Sequence, residues 1–474
     1  MGVVDTGMLL NIVHDRDAQE TALRQVVADR LAKHPAPVMN DHLVATYFFA
    51  FRTMTLEQGF KEIAYHATSG TKDIPPGSLL EQCTAVCAGV DAFDASGRVG
   101  LVHVAFPLKM MLHPDGRLTS NDIYHTVANA IIFDVYENQE ARLLNVSIPE
   151  HVIRTFPGPA YGPVGLRKVT GFADADPAFG RFLKPTAGIT PDDVERIVLE
   201  AARCPLFLFI KEDENLYPDL DYSPVAERAR RAAEALRRVQ DQREGKGLIF
   251  APHITGAPNE ILDTVAAALE AGATGVMFSE TFAGGTVRMV REATKDRQRP
   301  PAIYGHNAGI CTRTWAVWRE VIDLFARLVG IDFRQTAPLR PGTPFIRPFA
   351  AEWEASEHAL TRELPGIAPT MITRAGGLDQ GNIGLNLADV ERRGISDKVL
   401  FLAGSAINSI KNKQGKPDST LGAEAMMQAV DVHKSGELKD VPIEEHTKAL
   451  AALAERKNLT ALREALRQRY PEIN

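Results

Sequence analysis

The chain has 474 residues, of which 45% are hydrophobic and 24% are charged, and both values are ordinary for a globular protein. Acidic residues outnumber basic ones by 60 to 53 without a dense block of lysine and arginine, so we expect a small-molecule partner and no nucleic acid. No stretch reaches the ~20 continuous apolar residues of a membrane-spanning helix, and four scattered cysteines are too few for a disulfide framework. These features predict a cytoplasmic protein that does not contact a membrane.

The N-terminal third mixes strand-like and helical patterns. The runs typical of strands are 41–51 and 98–108, and those typical of helices are 55–68 and 121–138. The segment "RTFPGPAYGPVGLRKV" (154–169) is rich in proline and glycine and predicts a domain junction. We therefore expect an N-terminal α+β domain over 1–157, in which 1–38 are an extension, and a second domain over 158–474.

After the junction the pattern changes to apolar runs with helical segments between them. The runs are "GRFLKPTAG", "PLFLFIKEDEN", "GLIFAPHITG", "ATGVMFSET", "PAIYGHNAG", "VGIDFRQTA", "PTMITRAGG" and "VLFLAGSA". Continuous apolar runs that alternate with helices are typical of parallel strands buried on both faces. About eight such units predict a (β/α)₈ barrel. A doubly wound open sheet is the alternative, but no glycine-rich dinucleotide fingerprint follows the first run.

Two helices of this barrel have recognisable starts. Thr190 precedes a proline and two acids, which is a typical N-cap followed by a first helical turn. Ser223 with Pro224 predicts the same arrangement before the next helix. The stretch 443–470 is rich in alanine and leucine at helical spacing, and we assign it no chemistry.

Polar residues cluster where the predicted barrel strands end. In such barrels the catalytic groups lie at the carboxyl ends of the strands, on one rim. The residues at these ends are Lys184, Lys211 with Asp213 and Glu214, His253, His306, Gln335, Gly376 with Gly377, and Gly404 with Ser405.

The segment "LFLFIKEDEN" (206–215) predicts a metal site. Side chains alternate along a strand, so Lys211 and Asp213 point the same way, and Glu214 can turn toward them. Two carboxylates suit Mg²⁺, whereas an ammonium group does not. A neutral Lys211 amine that had captured CO₂ as a carbamate would supply further oxygens. The alternative is a solvated charged loop after a buried strand.

The glycine pairs predict an anion site. Backbone N–H groups without neighbouring side chains can approach a phosphate closely, and the loops after strands seven and eight often bind phosphate in these barrels. Gly376, Gly377, Gly404 and Ser405 have this placement. His306 is a candidate for moving protons or binding substrate hydroxyls, whereas His253 is expected to be structural.

Taken in order, these segments resemble the large subunit of RuBisCO. The motifs are "KP" after the first barrel strand, "IKEDEN", "GHNAG", "AGG" and "AGSA", together with "ATSGT" (67–71), "TVANA" (126–130) and "IRTFPGPAYG" (153–162). The resemblance implies an N-terminal ferredoxin-like domain, a catalytic barrel, and a homodimer with shared active sites.

The resemblance also implies roles for individual residues. Lys211 would be the carbamylated Mg²⁺ ligand beside Asp213 and Glu214, and Lys184 would lie near the carbonyl that enolises. Further residues would complete the site: Asn129 and Thr71 from the partner subunit, His306, Gln335, and the phosphate-binding Gly376, Gly377, Gly404 and Ser405.

Several departures from the family pattern point away from carboxylation. Thr186 stands where a carboxylase has a second lysine, Gln335 replaces a histidine, and the lysine of the flexible loop has no counterpart in "PLRPGTPF". The sequence therefore resembles the RuBisCO-like, non-carboxylating branch. We expect Mg²⁺-dependent enolisation, isomerisation or decarboxylation of a phosphorylated keto-sugar or keto-acid. A genuine carboxylase and a non-catalytic regulatory descendant are the alternatives.

Overall fold

A computed structural model describes residues 6–129, 132–133, 137–173, 176–279, 285–340 and 350–473. It divides into two compact units. The first comprises the described residues within Met1–Phe156, Cys311–Phe325 and Arg347–Ala359, and the second comprises those within Pro157–Ile310, Ala326–Ile346 and Leu360–Asn474.

The first unit contains a four-stranded antiparallel sheet. Its strands are β1 (His42–Phe51), β2 (Val86–Ala92), β3 (Val99–Pro107) and β4 (Asn138–Ser147), in the order β2-β3-β1-β4. The central strand β1 is buried along most of its length. Helices of this unit span Thr6–Lys33, Leu56–Ala64, Leu79–Gln82, Ser120–Val127 and Glu150–Ile153. The α+β prediction for this region is therefore confirmed.

The sequence patterns missed some elements of this unit. They did not predict the helix Thr6–Lys33 or the strands β2 and β4. The strand β2 has a mostly exposed surface, so it lacks the apolar run on which the prediction depended. A helix was expected over 121–138, but the observed helix ends at Val127, and Asn138 is the first residue of β4. Residues 130, 131 and 134–136 of this segment lie outside the described residues.

The second unit is a nearly closed barrel of eight parallel strands. The strands are β5 (Ala178–Phe182), β6 (Phe207–Lys211), β9 (Ile249–Ala251), β10 (Gly275–Ser279), β11 (Ala302–His306), β12 (Phe333–Thr336), β13 (Met371–Ala375) and β14 (Val399–Ala403). The hydrogen-bonded order runs β10-β11-β12-β13-β14-β5-β6-β9, and a parallel bridge between His253 and Met277 links the two ends. The barrel prediction is confirmed, and each apolar run overlaps one strand.

Further elements connect these strands along the chain. A two-stranded ribbon, β7 (Asp219–Leu220) with β8 (Ser223–Pro224), follows β6. The helices of the second unit span Gly162–Thr170, Pro191–Ala202, Val225–Arg238, Ile261–Glu270, Thr286–Thr294, Ile383–Arg392, Ser405–Asn408, Ser419–Lys434, His446–Arg456 and Thr460–Arg469. Two more helices, Arg319–Leu328 and Ala350–Thr361, begin in the first unit and end in the second. Among the residues that the structure describes, no helix is long and apolar enough to cross a membrane.

One of the two predicted helix starts is correct. Thr190 accepts a hydrogen bond from the backbone N–H of Asp193, whose carboxylate accepts from the backbone of Thr190, which is a complete capping box. The prediction for Ser223 was wrong. This residue belongs to β8, Pro224 is the N-cap, and the Ser223 hydroxyl makes no hydrogen bond with the described residues.

Asp332, at the start of β12, ties several segments of the barrel together. Its carboxylate accepts hydrogen bonds from the backbone N–H groups of Ile303 (2.8 Å) and Tyr161 (2.9 Å), and its Oδ2 lies 2.5 Å from Arg291 Nη2. Both side chains of the ion pair are almost fully buried. Breaking such a pair from one side leaves an uncompensated buried charge.

We therefore expect Asp332→Ala to lower the free energy of unfolding by about 3–5 kcal/mol. Urea denaturation checks this value. The matched control is Asp192→Ala, because the exposed Asp192 also pairs with an arginine, Arg231, at 3.0 Å. An exposed pair contributes about 0–1 kcal/mol, so equal losses in the two variants would contradict this account of Asp332.

Candidate active site

The candidate site lies at the carboxyl end of β6, where a fully buried strand ends in a lysine. All five residues of β6 are buried. Phe209 packs inside the barrel, with ring centroids 5.5 Å from Tyr304 and 4.5 Å from Phe333. Because strand side chains alternate, Lys211 follows Phe209 on the inner side of the strand. The sequence therefore fixes which way this lysine points.

Glu212 faces the other way and belongs to a buried ion pair. Its carboxylate accepts hydrogen bonds from Arg228 Nε at 2.7 Å and Nη2 at 2.9 Å, and from the backbone N–H of His253 at 2.9 Å. The side chains of Glu212 and Arg228 are both 0% exposed. The pair fixes the end of β6 against the helix Val225–Arg238. The sequence analysis assigned no role to Glu212 or Arg228, although strand alternation placed Glu212 outside the site.

Lys211 has no solvent exposure and a mixed set of neighbours. Its amine lies 3.0 Å from the carbonyl oxygen of Glu212 and 3.2 Å from Asp213 Oδ1. The remaining neighbours of Nζ are Met277 Sδ at 3.2 Å and the rings of Phe182 and Tyr304 at 4.6 and 5.1 Å. One carboxylate and one carbonyl therefore provide most of the polar contact for this amine.

Burial controls the protonation of Lys211. Desolvation lowers the pKa of its amine, although the nearby charges of Asp213 and Glu214 oppose the shift. A lowered pKa increases the fraction of neutral amine, which is the nucleophilic form.

Asp213 lies at the centre of the remaining polar contacts. Its Oδ2 is 2.5 Å from Lys184 Nζ, and its Oδ1 is 3.8 Å from His306 Nε2. Glu214 Oε2 is 3.4 Å from the same His306 nitrogen. Asp213, Glu214 and His306 each offer one ligand atom, and these atoms lie within 4.8 Å of one another. The structure thus brings together five of the predicted residues.

The two carboxyl groups differ in acidity. Burial and the neighbouring Asp213 raise the pKa of Glu214 to about 7. Burial alone would raise the pKa of Asp213, but the charge of Lys211 together with the hydrogen bonds to Glu214 and Lys184 lowers it below its usual value. Glu214 Oε2 is buried and has no hydrogen-bond partner among the described residues.

His306 is held as a neutral imidazole. Burial and the charge of Lys211 lower its pKa well below the usual value. Its Nδ1 lies 3.1 Å from the backbone N–H of Ala308, which donates to it, so the neutral ring carries its proton on Nε2, toward the carboxylates. His253 is also buried, with a pKa lowered to about 4, and its Nδ1 lies 3.2 Å from the carbonyl oxygen of Leu216.

The other predicted barrel residues lie at neighbouring strand ends. Gln335 is in β12, and its Oε1 accepts a hydrogen bond from the Tyr304 hydroxyl at 2.8 Å. Gly376 and Gly377 follow β13 with φ angles of +87° and +99°. Gly404 and Ser405 follow β14, and Ser405 begins the short helix Ser405–Asn408. The structure describes no ligand contact for these residues, so their roles remain predictions.

Thr71 and Asn129 belong to the first unit. The Thr71 hydroxyl accepts a hydrogen bond from the backbone N–H of Asp73 at 3.2 Å. Asn129 follows the helix Ser120–Val127, and its carbonyl oxygen accepts from the backbone N–H of Ile132 at 3.0 Å. Their predicted contribution to a partner's active site stays a prediction.

Comparisons with known proteins agree with this geometry. Residues 166–343 match the catalytic domain of the ribulose bisphosphate carboxylase large chain. A ribulose bisphosphate carboxylase of Thermococcus kodakarensis is 26% identical over 84% of this chain and 89% of that protein. An uncharacterized ribulose bisphosphate carboxylase-like protein of Bordetella bronchiseptica is 27% identical over 88% and 98%, respectively.

A third relative is named for a different activity, decarboxylation. The 3-oxo-isoapionate-4-phosphate decarboxylase of Rhizobium etli is 27% identical over 74% of this chain and 80% of that protein. Among solved structures, the octameric RuBisCO of Pyrococcus horikoshii has a TM-score of 0.75 at 21% identity, covering 91% of this chain and 94% of that one. This structural likeness shows a shared fold.

The different environments of Glu212 and Glu214 predict opposite effects of two isosteric substitutions. We expect Glu212→Gln to lower the free energy of unfolding by about 3 kcal/mol, because it leaves the buried charge of Arg228 without its partner. Glu214→Gln should stabilise the metal-free protein at pH 8. The folded-state pKa of Glu214 is about 7 against an ordinary 4.5, so the unfolded chain releases this proton first.

Consequently, the stability of the wild type should fall as the pH rises from about 4.5 to about 7, and Glu214→Gln should remove this slope. Urea denaturation in a chelator at pH 5 and pH 8 measures both effects. A stabilising Glu212→Gln, or a Glu214→Gln variant that is less stable than the wild type at pH 8, would contradict the assignment.

Proposed function

We propose that this chain, whose residues 166–343 match the catalytic domain of the ribulose bisphosphate carboxylase large chain, is a RuBisCO-like enzyme of Mg²⁺-dependent enolisation chemistry that does not fix CO₂. Its substrate would be a phosphorylated keto-sugar or keto-acid, and an enediolate would be the intermediate. The observation that carries the proposal is the buried Lys211 amine beside Asp213 and Glu214 at a barrel strand end.

The residues at this strand end fit a hard cation. Glu214 Oε2 is a buried oxygen without a hydrogen-bond partner among the described residues, which suits an oxygen-seeking ion. Asp213 provides a second carboxylate within reach. When bound, Mg²⁺ would polarise a substrate carbonyl and stabilise negative charge on the adjacent oxygen. Lys211, Asp213 and Glu214 would hold it, with Lys211 as a carbamate.

The environment of Lys211 favours carbamate formation. The neutral form of its amine, which burial favours, would attack the carbon of CO₂, form an N–C bond and release a proton, so that the side chain would end in anionic oxygens. An unmodified ammonium would instead remain paired with Asp213. His306 Nε2 lies in the same cluster, but it carries the ring proton and would have to lose that proton before it could bind a metal if no carbamate formed.

Lys184 and His306 are the candidates for proton movement. Lys184 Nζ pairs with Asp213 Oδ2, and its side chain is 37% exposed, so it can exchange protons with solvent and substrate. The proton on His306 Nε2 would be donated to a substrate oxygen, since the Nδ1 position already accepts the N–H of Ala308. We therefore assign proton abstraction to Lys184 and oxygen stabilisation to His306.

Other residues support enolisation over carboxylation. Gln335 is a neutral amide whose oxygen already accepts the Tyr304 hydroxyl, so it cannot replace a histidine as a titrating group. Thr186 cannot supply the second cation of a carboxylase. One relative named as a ribulose bisphosphate carboxylase-like protein and another named as a 3-oxo-isoapionate-4-phosphate decarboxylase are consistent with this chemistry.

We also propose a homodimer that shares its active sites. Asn129 and Thr71 of one chain would reach the barrel of the partner, whereas the phosphate would lie on the backbone at Gly404, Ser405 and the earlier glycine pair. Family members assemble, since the Pyrococcus horikoshii protein is octameric.

The test is exchange of substrate C–H protons in D₂O, followed by proton NMR with Mg²⁺ and bicarbonate. Ribulose 1,5-bisphosphate and 3-oxo-isoapionate 4-phosphate are the probes. We expect proton exchange or CO₂ release without fixation of labelled CO₂. The rate should fall by at least about 100-fold in Lys184→Met, because one general base contributes about 10²–10⁴-fold.

Arg237→Met, on an exposed helix surface, is the control and should keep the wild-type rate. Fixation of labelled CO₂ would revive the carboxylase alternative, and inactivity toward all phosphorylated keto compounds would favour the non-catalytic one.

A further inference from the structure

The N-terminal helix Thr6–Lys33 packs one side against the sheet of the first unit. It shares an apolar cluster with the strands of that sheet, and the members of the cluster include Leu23, Val27, Leu31, Phe48, Leu101, Leu144 and Trp318. Val27 is 0% exposed, whereas Val26, one position earlier, is 42% exposed. Residues four positions apart lie on the same side of a helix, which places Leu23, Val27 and Leu31 together. The helix therefore covers an apolar face of the sheet that would otherwise contact water.

A charged residue interrupts this apolar side of the helix. Arg24 is only 7% exposed, and its guanidinium group lies over the ring of Trp318, 4.3 Å from the centroid. Its Nη1 is 3.5 Å from Glu320 Oε1, and its Nε is 3.3 Å from Oε1 of Glu20 in the same helix. Arg24 thus joins the helix to the segment 318–320, and it contacts two carboxylates at once.

Glu320 is incompletely compensated by this cation. Its Oε1 contacts Arg24 only at 3.5 Å, and its Oε2 is buried without a hydrogen-bond partner among the described residues. The Nε1–H group of Trp318 is buried and also lacks a partner within the described ranges. Burial raises the pKa of Glu320 to about 7 against the opposing charge of Arg24, and the acids Glu352 and Asp323 contribute to the rise.

The other arginines of this cluster already have carboxylate partners. Arg319 Nε lies 3.2 Å from Asp323 Oδ2, and both side chains are buried. Arg142 of β4 pairs with Glu20, the second partner of Arg24. Ionisation of Glu320 therefore adds a buried carboxylate to a cluster whose cations are shared with other acids. A buried charge with incomplete compensation is unfavourable.

We propose that Glu320 is a pH-dependent switch that controls the docking of the helix Thr6–Lys33 on the sheet. The helix is docked while Glu320 carries its proton, and it loosens when Glu320 is ionised. Loosening gives the carboxylate access to water and uncovers the apolar face formed by Phe48, Leu101 and Leu144. All of these residues belong to the first unit, so the inference does not depend on the proposed chemistry of the barrel.

The direction of the pH effect follows from proton linkage. A carboxyl group whose pKa is raised in the docked state stabilises that state fully below its ordinary pKa of 4.5, and this stabilisation is lost as the pH rises to about 7. With these two values, the equilibrium constant for docking falls by about tenfold between pH 6 and pH 8.

The test is amide hydrogen exchange of the full-length, metal-free protein at pH 6 and pH 8, measured by mass spectrometry of peptides and corrected for the intrinsic exchange rates. We expect the protection of peptides that cover 20–33 to be about tenfold lower at pH 8 than at pH 6. Peptides of β1 should be better protected than those of the helix at both pH values, because the helix loosens without unfolding of the sheet.

Glu320→Gln removes the titrating group and should give equal helix protection at the two pH values. The matched control is Asp29→Asn, because Asp29 is a carboxylate on the exposed side of the same helix, and this variant should keep the tenfold difference. Thermal unfolding checks that each variant is folded. Equal protection at pH 6 and pH 8 in the wild type would overturn the inference whether or not the variants fold. A tenfold difference that persists in Glu320→Gln, or helix protection equal to that of β1, would overturn it as well.

Discussion

The burial of one amine determines most of what this barrel can do. Lys211 ends a strand whose other residues are all apolar, and its own side chain is fully buried. Burying an isolated charge is unfavourable, so desolvation lowers the pKa of the amine. The carboxylate of Asp213, 3.2 Å away, compensates part of the charge. The same burial that weakens the ammonium form increases the fraction of the neutral, nucleophilic amine.

The three acids after Lys211 have different environments because strand side chains alternate in direction. Glu212, one residue along, points to the opposite side and neutralises Arg228. Glu214 lies beyond the strand, where burial and Asp213 make its ionised form unfavourable without a cation. A run of three consecutive acids thus contains one structural ion pair and two carboxylates that cluster with His306. Reading the segment as a uniformly charged loop would miss this division.

The sequence predicted the parts of the fold that depend on repeated, buried patterns. Eight apolar runs gave eight barrel strands, and Thr190 capped its helix as expected. The exposed edge strand β2 lacked such a run, and Ser223 looked like an N-cap only because local residue types do not reveal that it pairs in a ribbon.

Within the site, alternation along one strand was enough to predict that Lys211 and Asp213 share a side. It was not enough to find Met277. Met277 reaches Lys211 across 66 positions of sequence. Such long-range contacts arise from the closure of the barrel and have no local signature.

The central claim is that Lys211 becomes a carbamate that completes a metal site. Carbon-13 NMR of the protein with labelled bicarbonate and Mg²⁺ tests it directly. The account predicts a carbamate resonance that is present in the wild type and in Lys184→Met, and absent in Lys211→Met. Absence of the resonance in the wild type, or its persistence in Lys211→Met, would contradict the account and leave Asp213, Glu214 and His306 as the only candidate ligands among the described residues.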